Sequence, residues 1–204
     1  MGKSLLHRLA TVVGLGIAVG VAGWSLAAGA AESHVVDPVH SSATFRIEHV
    51  GISWVAGRFD DVSGKCAFDK ADPAKSSCEV AIKTTSIDTN NAQRDTHLRS
   101  EEFFNVKQFP EMTFKSTSVK KVDAPEPATD ASYEVTGDFT MLGVTKPVTF
   151  ILRGGKEAEF PKGTHRIGFF TEFSIKRSDF GMAKLLGPVG DLVKITVSVE
   201  AIKQ

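Results

Sequence analysis

The sequence is poor in cysteine, tyrosine and tryptophan, and it has no excess of charge of either sign. Its 204 residues include two cysteines, one tyrosine and two tryptophans, and 24 basic side chains balance 24 acidic ones. Without a basic excess there is no electrostatic surface for a phosphate backbone, which argues against nucleic acid as a partner. The 14 phenylalanines and a hydrophobic fraction of 42% exclude intrinsic disorder and indicate an apolar core.

Motifs that carry catalysis are also lacking. The chain contains no Gly-x-Ser-x-Gly nucleophile turn, no phosphate-binding glycine loop and no His-Glu-x-x-His zinc motif. Asp95 and His97 could form an acid-base pair, but residues two apart on a helix do not face each other. We therefore predict a protein that is not an enzyme and that holds no metal.

Residues 1–30 have the composition of a secretory signal sequence. The first eight residues are basic through Lys3 and Arg8, residues 9–26 carry no charge, and Ala28-x-Ala30 supplies a small-residue cleavage signal. An uncleaved membrane anchor is the alternative, because about 18 apolar residues nearly suffice to cross a bilayer. Four glycines in the segment weaken that alternative. We predict cleavage after Ala30 or Ala31, one domain over residues 31–204, and a periplasmic or secreted location.

Export determines how the two cysteines are interpreted. Cys66 and Cys78 both lie in residues 31–204, and neither belongs to a Cys-x-x-Cys motif. In an oxidising compartment such a pair forms a disulfide, which we predict here. Closing so short a loop contributes about 3 kcal/mol in the chain-entropy model.

From residue 40 onward the hydrophobic pattern has a period of two, which is typical of half-buried strands. Eight such segments lie within residues 44–49, 55–68, 78–83, 112–114, 133–141, 148–152, 167–175 and 193–199. The second segment shifts its phase at Asp60-Asp61, which predicts a β-bulge. The exceptional stretch is residues 90–105, where we expect one or two short helices with Ser100 as an N-cap.

Eight antiparallel strands can close into a barrel or pack as a two-sheet sandwich, and the period does not decide between them. Phenylalanine dominates the apolar face, and Gly57, Gly64 and Gly137 interrupt it, as tight bends or space for a guest would require. An eight-stranded barrel is wide enough either to be filled by side chains or to hold one small ligand.

Several motifs follow one another along the chain. They are Asp37-Pro38-Val39-His40-Ser41 with Phe45-Arg46-Ile47-Glu48-His49, Ser86-Ile87-Asp88-Thr89, Arg94-Asp95-Thr96-His97-Leu98-Arg99-Ser100 with Phe103-Phe104, Phe109-Pro110-Glu111-Met112-Thr113-Phe114-Lys115-Ser116, Gly137-Asp138-Phe139-Thr140, Gly143-Val144-Thr145-Lys146-Pro147-Val148 and Arg177-Ser178-Asp179-Phe180-Gly181-Met182. Together they resemble the YceI-like proteins, secreted lipocalin-like barrels of bacteria, over about residues 36–202.

The resemblance implies an all-β fold, an eight-stranded antiparallel lipocalin-like barrel with a short helical segment near one end. It also implies a lumen that holds a long apolar chain, an isoprenoid or a related amphiphilic lipid. The cysteine pair is an addition to the family pattern, and we expect it to leave the ligand site unchanged, because it closes a hairpin near its turn.

Under this resemblance the inward-facing apolar residues become candidate ligand-binding residues. They are Phe45, Ile47, Phe59, Val80, Ile82, Phe114, Val135, Phe139, Phe150, Phe169, Phe173, Ile195 and Val197. A polar head group would need partners at the mouth, for which the candidates are Arg94, Asp95, His97, Arg177 and Asp179. The alternative, which we favour, is that Arg94 with Asp95 and Arg177 with Asp179 tie loops to the barrel rim.

Two functions stay open. The first is non-catalytic binding of a hydrophobic small molecule for carriage, storage or sequestration, with no resident cofactor. The second is presentation of an isoprenoid quinone, or a quinone-like lipid, to a membrane redox partner. A filled interior would instead indicate a structural, stress-related secreted barrel. The oligomeric state has no signal in the sequence.

Overall fold

The structure, a computed structural model, describes residues 31–124 and 130–204. Within these ranges the chain forms eleven β-strands and one α-helix. The elements are β1 (Glu32–Val36), β2 (Ser42–His49), β3 (Ser53–Phe59), β4 (Val62–Phe68), β5 (Ser77–Lys83), β6 (Ile87–Asp88), α1 (Ala92–Arg99), β7 (Glu111–Val122), β8 (Ala131–Met141), β9 (Val144–Glu159), β10 (His165–Lys176) and β11 (Val189–Lys203).

Eight strand positions close into a ring of antiparallel neighbours. Around the ring the order is β1, β4, β5, β7, β8, β9, β10 and β11, and β11 pairs with β1 to close it. The long β11 also pairs with β2, which pairs with β3, which pairs with β6. These three strands therefore continue the positions of β1, β4 and β5 toward the other end of the ring. The predicted eight-stranded barrel is confirmed, and the sandwich is excluded.

The phase shift at Asp60-Asp61 is a strand break, so the predicted bulge is wrong. β3 pairs with β2 and β6, whereas β4 pairs with β1 and β5. The backbone at the break stays hydrogen-bonded, because the Asp61 amide donates to Ser86 Oγ (3.1 Å) and the Lys83 amide donates to the Asp61 carbonyl (3.0 Å). A change of pairing partners shifts the phase here.

A single short helix replaces the one or two expected. Its N-cap is Asn91, whose side chain accepts a hydrogen bond from the Arg94 amide at 2.9 Å. Ser100, the predicted N-cap, is the C-cap instead, and its amide donates to the His97 carbonyl at 3.1 Å. Glu101 and Glu102 follow Ser100 as acids often follow an N-cap, but they lie in the turns after the helix.

One end of the barrel gathers α1, the β2–β3 hairpin and residues 181–188, and we call it the helix end. The Lys184 ammonium pairs with Glu102 at 2.5 Å, and the Val50 amide donates to the Pro188 carbonyl at 2.7 Å. The opposite end, called the far end, holds β1, the β9–β10 connection and the end of β11. The apolar core therefore runs along the barrel between two differently built ends.

The predicted disulfide joins Cys66 and Cys78, which lie opposite each other in the β4–β5 pair. In the same register, Gly64 lies opposite Val80. The signal-sequence prediction falls on residues 1–30, outside the described residues. Within the described ranges, no helix has the length and apolar character needed to cross a membrane.

Candidate binding cavity

An apolar cavity of about 570 Å³ occupies the inside of the barrel. Its wall is mainly phenylalanine rings and aliphatic side chains. All the apolar candidates line it, namely Phe45, Ile47, Phe59, Val80, Ile82, Phe114, Val135, Phe139, Phe150, Phe169, Phe173, Ile195 and Val197. A filled interior is therefore excluded. Contact of these residues with a bound molecule stays a prediction.

Strand alternation places these side chains inside. On β11, Ile195 and Val197 line the cavity, whereas Lys194 faces outward. Neighbouring strands then bring the rings together, with Phe150 stacked on Phe173 at 4.9 Å between centroids and Phe114 at 5.3 Å from Phe150. The rings coat the wall and leave the centre open.

Glycines in the wall make room for the protein's own rings and backbone. A Cβ on Gly57 would lie 2.5 Å from Cζ of Phe45, its cross-strand partner. A Cβ on Gly137 would meet the ring of Phe114 as well as backbone. At Gly57 and Gly137 a phenylalanine ring of a neighbouring strand therefore occupies the space that a guest would need, and at Gly64 the Glu79 carbonyl does.

The disulfide belongs to the cavity wall. Cys66 and Cys78 line the cavity together with Ser77 and Ser116, and the Cys78 amide is held by Ser116 Oγ at 2.8 Å. The cysteine pair therefore forms part of the cavity wall, which we did not predict from the sequence. The signal was present in the sequence, because Cys66 shares the inward phase of Phe68.

Three rings pack at the far end of the cavity. Phe68 contacts Tyr133 and Phe169 edge to face, with centroids 5.5 Å and 5.3 Å away. Burial raises the pKa of the Tyr133 hydroxyl above its ordinary value. Phe68 also borders a second, polar pocket of about 550 Å³ beyond it, lined by Glu32, His34 and other charged residues. The rings separate the apolar cavity from this polar pocket.

At the helix end, α1 contributes Arg94, His97 and Leu98 to the cavity wall. Arg94 donates from Nε to Thr89 Oγ1 (2.8 Å) and from Nη2 to the Thr89 carbonyl (2.7 Å). The buried Asp95 turns away from the cavity and accepts from the amide and hydroxyl of Thr89. Both charged residues thus tie α1 to the segment after β6.

Arg177 lines the cavity, but its guanidinium is used by the protein itself. It is 2% exposed and donates to the carbonyls of Met182, Lys184, Val189 and Gly190 at 2.7–3.0 Å. Burial lowers the pKa of this guanidinium below its ordinary value. The side chain holds the segment 182–190 against the helix end.

The favoured alternative was that the charged residues tie loops to the barrel rim. Arg94, Asp95 and Arg177 do so, but not as pairs of sequence neighbours. Within the described residues, no ion pair joins Arg94 to Asp95 or Arg177 to Asp179. The acid near Arg177 is Asp191, which accepts from the amide (2.9 Å) and hydroxyl (2.8 Å) of Ser178. Sequence neighbours do not pair here because each arginine reaches backbone carbonyls instead. Asp179 is exposed and does not line the cavity.

A polar bridge crosses the helix end. Glu102 accepts from His97 Nε2 at 2.6 Å and from Lys184 Nζ at 2.5 Å. These contacts hold the pKa of the Glu102 carboxyl below its ordinary value. Glu102 thereby connects the turns after α1 to the segment that Arg177 holds.

One group of possible metal ligands exists among the described residues, far from the cavity. Oxygen and nitrogen atoms of Asp37, His40 and Glu200 lie within 4.8 Å of one another. The Arg166 guanidinium pairs with both carboxylates, at 2.5 Å from Asp37. Because this cation already pairs with both acids, the group is an ion-pair network that joins β10 to the β1–β2 connection and to β11.

A family model described as the YceI-like domain matches residues 34–201. The chain is also 44% identical over 165 residues to Protein YceI of Escherichia coli O157:H7, which covers 81% of this chain and 83% of the relative. The chain belongs to the YceI-like family.

Solved structures show the same fold. The YCEI protein of Campylobacter jejuni matches this YceI-like barrel with 33% identity and a TM-score of 0.66, over 77% of this chain and 90% of its own. Burkholderia cenocepacia BcnA has a TM-score of 0.69 at 24% identity, over 81% and 98% of the two chains. A polyisoprenoid binding domain from Saccharophagus degradans has a TM-score of 0.65 at 16% identity, over 85% and 99%.

Proposed function

We propose that the barrel binds a long apolar lipid, an isoprenoid or a related amphiphile, inside its cavity without catalysing a reaction. The observation that carries the proposal is the apolar cavity itself, which is lined by α1 at the helix end and by the rings of Phe68, Tyr133 and Phe169 at the far end. Membership of the YceI-like family supports it, and so does the fold shared with a domain named for polyisoprenoid binding.

Burial of the chain would supply the binding free energy. Each five-carbon unit contributes about 4 kcal/mol, at roughly 0.8 kcal/mol per buried CH₂ group. Association itself costs about 4–15 kcal/mol. Three to four units therefore suffice for binding, whereas a single unit does not. Apolar chains shorter than this are expected to bind weakly.

The polar end of the lipid would lie at the helix end. Arg94 and His97 line the cavity there, beside the segment held by Arg177. Asp95 and Arg177 are already saturated by protein partners, and Asp179 lies outside the wall. Of the five head-group candidates, we assign the role to Arg94 and His97.

The cellular role that fits this site is carriage, storage or sequestration of the lipid in the periplasm. Presentation of a quinone to a membrane redox partner would use the same cavity and differs only in the ligand. An extract that absorbs as a quinone would assign the second role.

The decisive experiment is extraction of the purified protein with organic solvent, followed by mass spectrometry. We expect one lipid class with several isoprene units, close to equimolar with protein. Protein stripped of lipid should bind added isoprenoid again, measured by calorimetry. A protein that carries no lipid and fails to bind added isoprenoid would contradict the proposal.

A further inference from the structure

One aromatic side chain forms the boundary between the apolar cavity and the polar pocket at the far end. Among the described residues, only Phe68 borders both of them. It is the last residue of β4, and its side chain is 8% exposed. The end of the apolar space therefore coincides with a single ring.

The ring of Phe68 reaches across the interior of the barrel. Its two ring contacts are with Tyr133 on β8 and Phe169 on β10, at 5.5 Å and 5.3 Å between centroids. Around the closed ring of strands, β8 and β10 each lie three positions from β4. Contacts between strands so far apart close the end of the cavity.

Rings elsewhere in the wall pack between closer strands. Phe150 and Phe173 lie on β9 and β10, which are hydrogen-bonded neighbours, and their rings are stacked. Phe114 on β7 contacts Phe150 from two positions away. These rings set the width of the cavity, whereas Phe68 sets its length.

The space beyond Phe68 is unsuited to a hydrocarbon chain. The Lys203 ammonium pairs there with Glu32 at 2.6 Å, and the Lys70 ammonium pairs with Glu157 at 2.5 Å. A chain that passed the ring would remove water from these ions without offering them a hydrogen bond. Favourable burial of an apolar chain therefore stops at the ring.

The backbone on both sides of Phe68 is held in place. Cys66, two residues earlier on the same inner face, is crosslinked to Cys78. Asp69, the next residue, is 5% exposed, and its amide donates to Ser76 Oγ at 3.0 Å. The Asp69 carboxylate also accepts from two amides of the following turn, each at 2.9 Å. The position of the ring is thus fixed, as a limit on length requires.

We propose that Phe68 determines the longest isoprenoid chain that the cavity accepts. The polar end of the lipid lies at the helix end, the chain runs toward the far end, and its last unit contacts the Phe68 ring. The inference rests on the proposed function, because a limit on length applies only to a chain inside the cavity. Affinity rises with each unit that leaves water and stops rising at the unit that would have to pass the ring.

Competitive loading measures this limit. Protein stripped of lipid is incubated with a detergent solution of all-trans isoprenoid alcohols of increasing length, from about three units upward. After washing, the bound lipid is extracted and its chain lengths are determined by mass spectrometry. For the parent we expect occupancy to increase with length up to a limit and to fall for longer chains.

Substitutions at Phe68 should move the limit. Phe68→Ala removes six carbon atoms from the end of the cavity, and an isoprene unit contains five. The limit should therefore rise by about one unit, and the ratio of that longer chain to the parent's longest chain should increase at least about tenfold. Phe68→Leu should shift the distribution in the same direction by less, and Phe68→Trp should shift it toward shorter chains.

Two control variants change aromatic residues without moving the boundary. Phe160→Ala removes a ring that is 74% exposed in the β9–β10 connection at the far end. Tyr133→Phe removes a hydroxyl but keeps the ring that contacts Phe68. Both should keep the limit of the parent. Circular dichroism verifies that each variant is folded, and Phe68→Leu decides the test if Phe68→Ala does not fold.

The same limit in the parent and in the folded Phe68 variants would overturn the inference. Occupancy that rises with length without any limit in the parent would do so too, as would an equal shift in Phe160→Ala. A parent that binds no isoprenoid of any length refutes the proposed function itself. A parent that binds isoprenoids with a limit that Phe68 does not affect refutes this inference alone.

Discussion

At the scale of single residues, the helix end depends on a buried arginine without a bonded carboxylate. Arg177 donates to four carbonyl groups of the segment 182–190, of which those of Met182 and Lys184 lie outside any helix or strand and those of Val189 and Gly190 lie at the start of β11. An unpaired buried polar group is expensive, so the guanidinium determines the path of this segment. The same segment carries the exposed Leu185 and Leu186, so one internal residue positions both of these leucines.

Replacement of this arginine should therefore destabilise the protein. Arg177→Met keeps the volume of the side chain but leaves the carbonyls unpaired, and we expect unfolding to become easier by about 3 kcal/mol or more. Urea denaturation followed by circular dichroism measures it. Lys176→Met, at the exposed neighbouring position, should change stability by less than about 0.5 kcal/mol. Similar stability of both variants would show that water replaces the guanidinium.

A second residue-scale prediction concerns pH. The Arg166 guanidinium and the His40 ring hold the pKa of Asp37 far below its ordinary value. The stability that this carboxylate contributes is complete above its unfolded-state pKa of about 3.9. It declines as the pH falls below that value and is lost when the pH passes the folded-state pKa.

Comparison with Asp37→Asn isolates this effect. At pH 7 the variant should be less stable than the parent, and the difference should shrink as the pH is lowered from about 4 toward 2. Urea titrations at each pH measure both proteins. Asp72→Asn, which changes an exposed pair with Lys75, serves as the control with little effect at any pH. A difference that stays constant with pH would contradict the argument.

At the scale of elements, three of the eight strand positions are divided between two strands each. The breaks at residues 37–41, 60–61 and 84–86 allow the wall to change direction, and β11 spans the division by pairing with both β1 and β2. The β4–β5 hairpin lies between the breaks at residues 60–61 and 84–86. It carries the disulfide, whose two cysteines line the cavity. The disulfide thus has two roles, because it restricts the unfolded chain and forms part of the cavity wall.

Removal of the disulfide should lower stability without unfolding the barrel. Cys66→Ser with Cys78→Ser opens a loop of 12 residues' separation, which should reduce the free energy of unfolding by about 3 kcal/mol. In the reduced parent, bound isoprenoid should slow alkylation of both thiols, because they line the cavity. Alkylation at the same rate with and without lipid would place the ligand elsewhere.

At the scale of the whole molecule, the barrel is a closed sheet with an apolar interior and unequal ends. Rings at the far end separate the cavity from a polar pocket, and α1 with the segment 182–190 frames the other end. Ring closure satisfies the strand edges, so the interior can stay open without an exposed edge. The two ends of the cavity therefore differ in both structure and polarity.

Filling the cavity tests this arrangement. Val197→Trp places a large ring at the middle of β11 inside the barrel, and it should reduce bound lipid severalfold while the fold is kept. Ser198→Trp adds the same ring to the outer wall and should leave lipid content unchanged. Mass spectrometry of extracts compares the two. Gly137→Phe is unsuitable, because even a Cβ there would lie 2.6 Å from the Lys115 carbonyl.

Sequence periodicity alone determined much of this protein, because burial on a strand repeats every second residue. It located most of the strands and placed the apolar candidates on the inner face, while the predicted export of the chain paired Cys66 with Cys78. Periodicity did not predict the short β1, because the five residues before Asp37-Pro38 are too few to show a period of two. The helix region was located, but its cap was misassigned because Ser100 precedes two acids as an N-cap would.

The tertiary structure alone decided what depends on contacts between distant residues. Periodicity is the same for a solid and a hollow barrel, so only the packing of Phe45 against Gly57 and Phe150 against Phe173 shows that rings coat the wall and leave a cavity. Arg177 and Asp179 are neighbours in sequence, yet Arg177 bonds to carbonyls five to thirteen residues away. A local pattern records which side of a strand is apolar, whereas the position of a cavity and the partners of a charge depend on how the sheet closes.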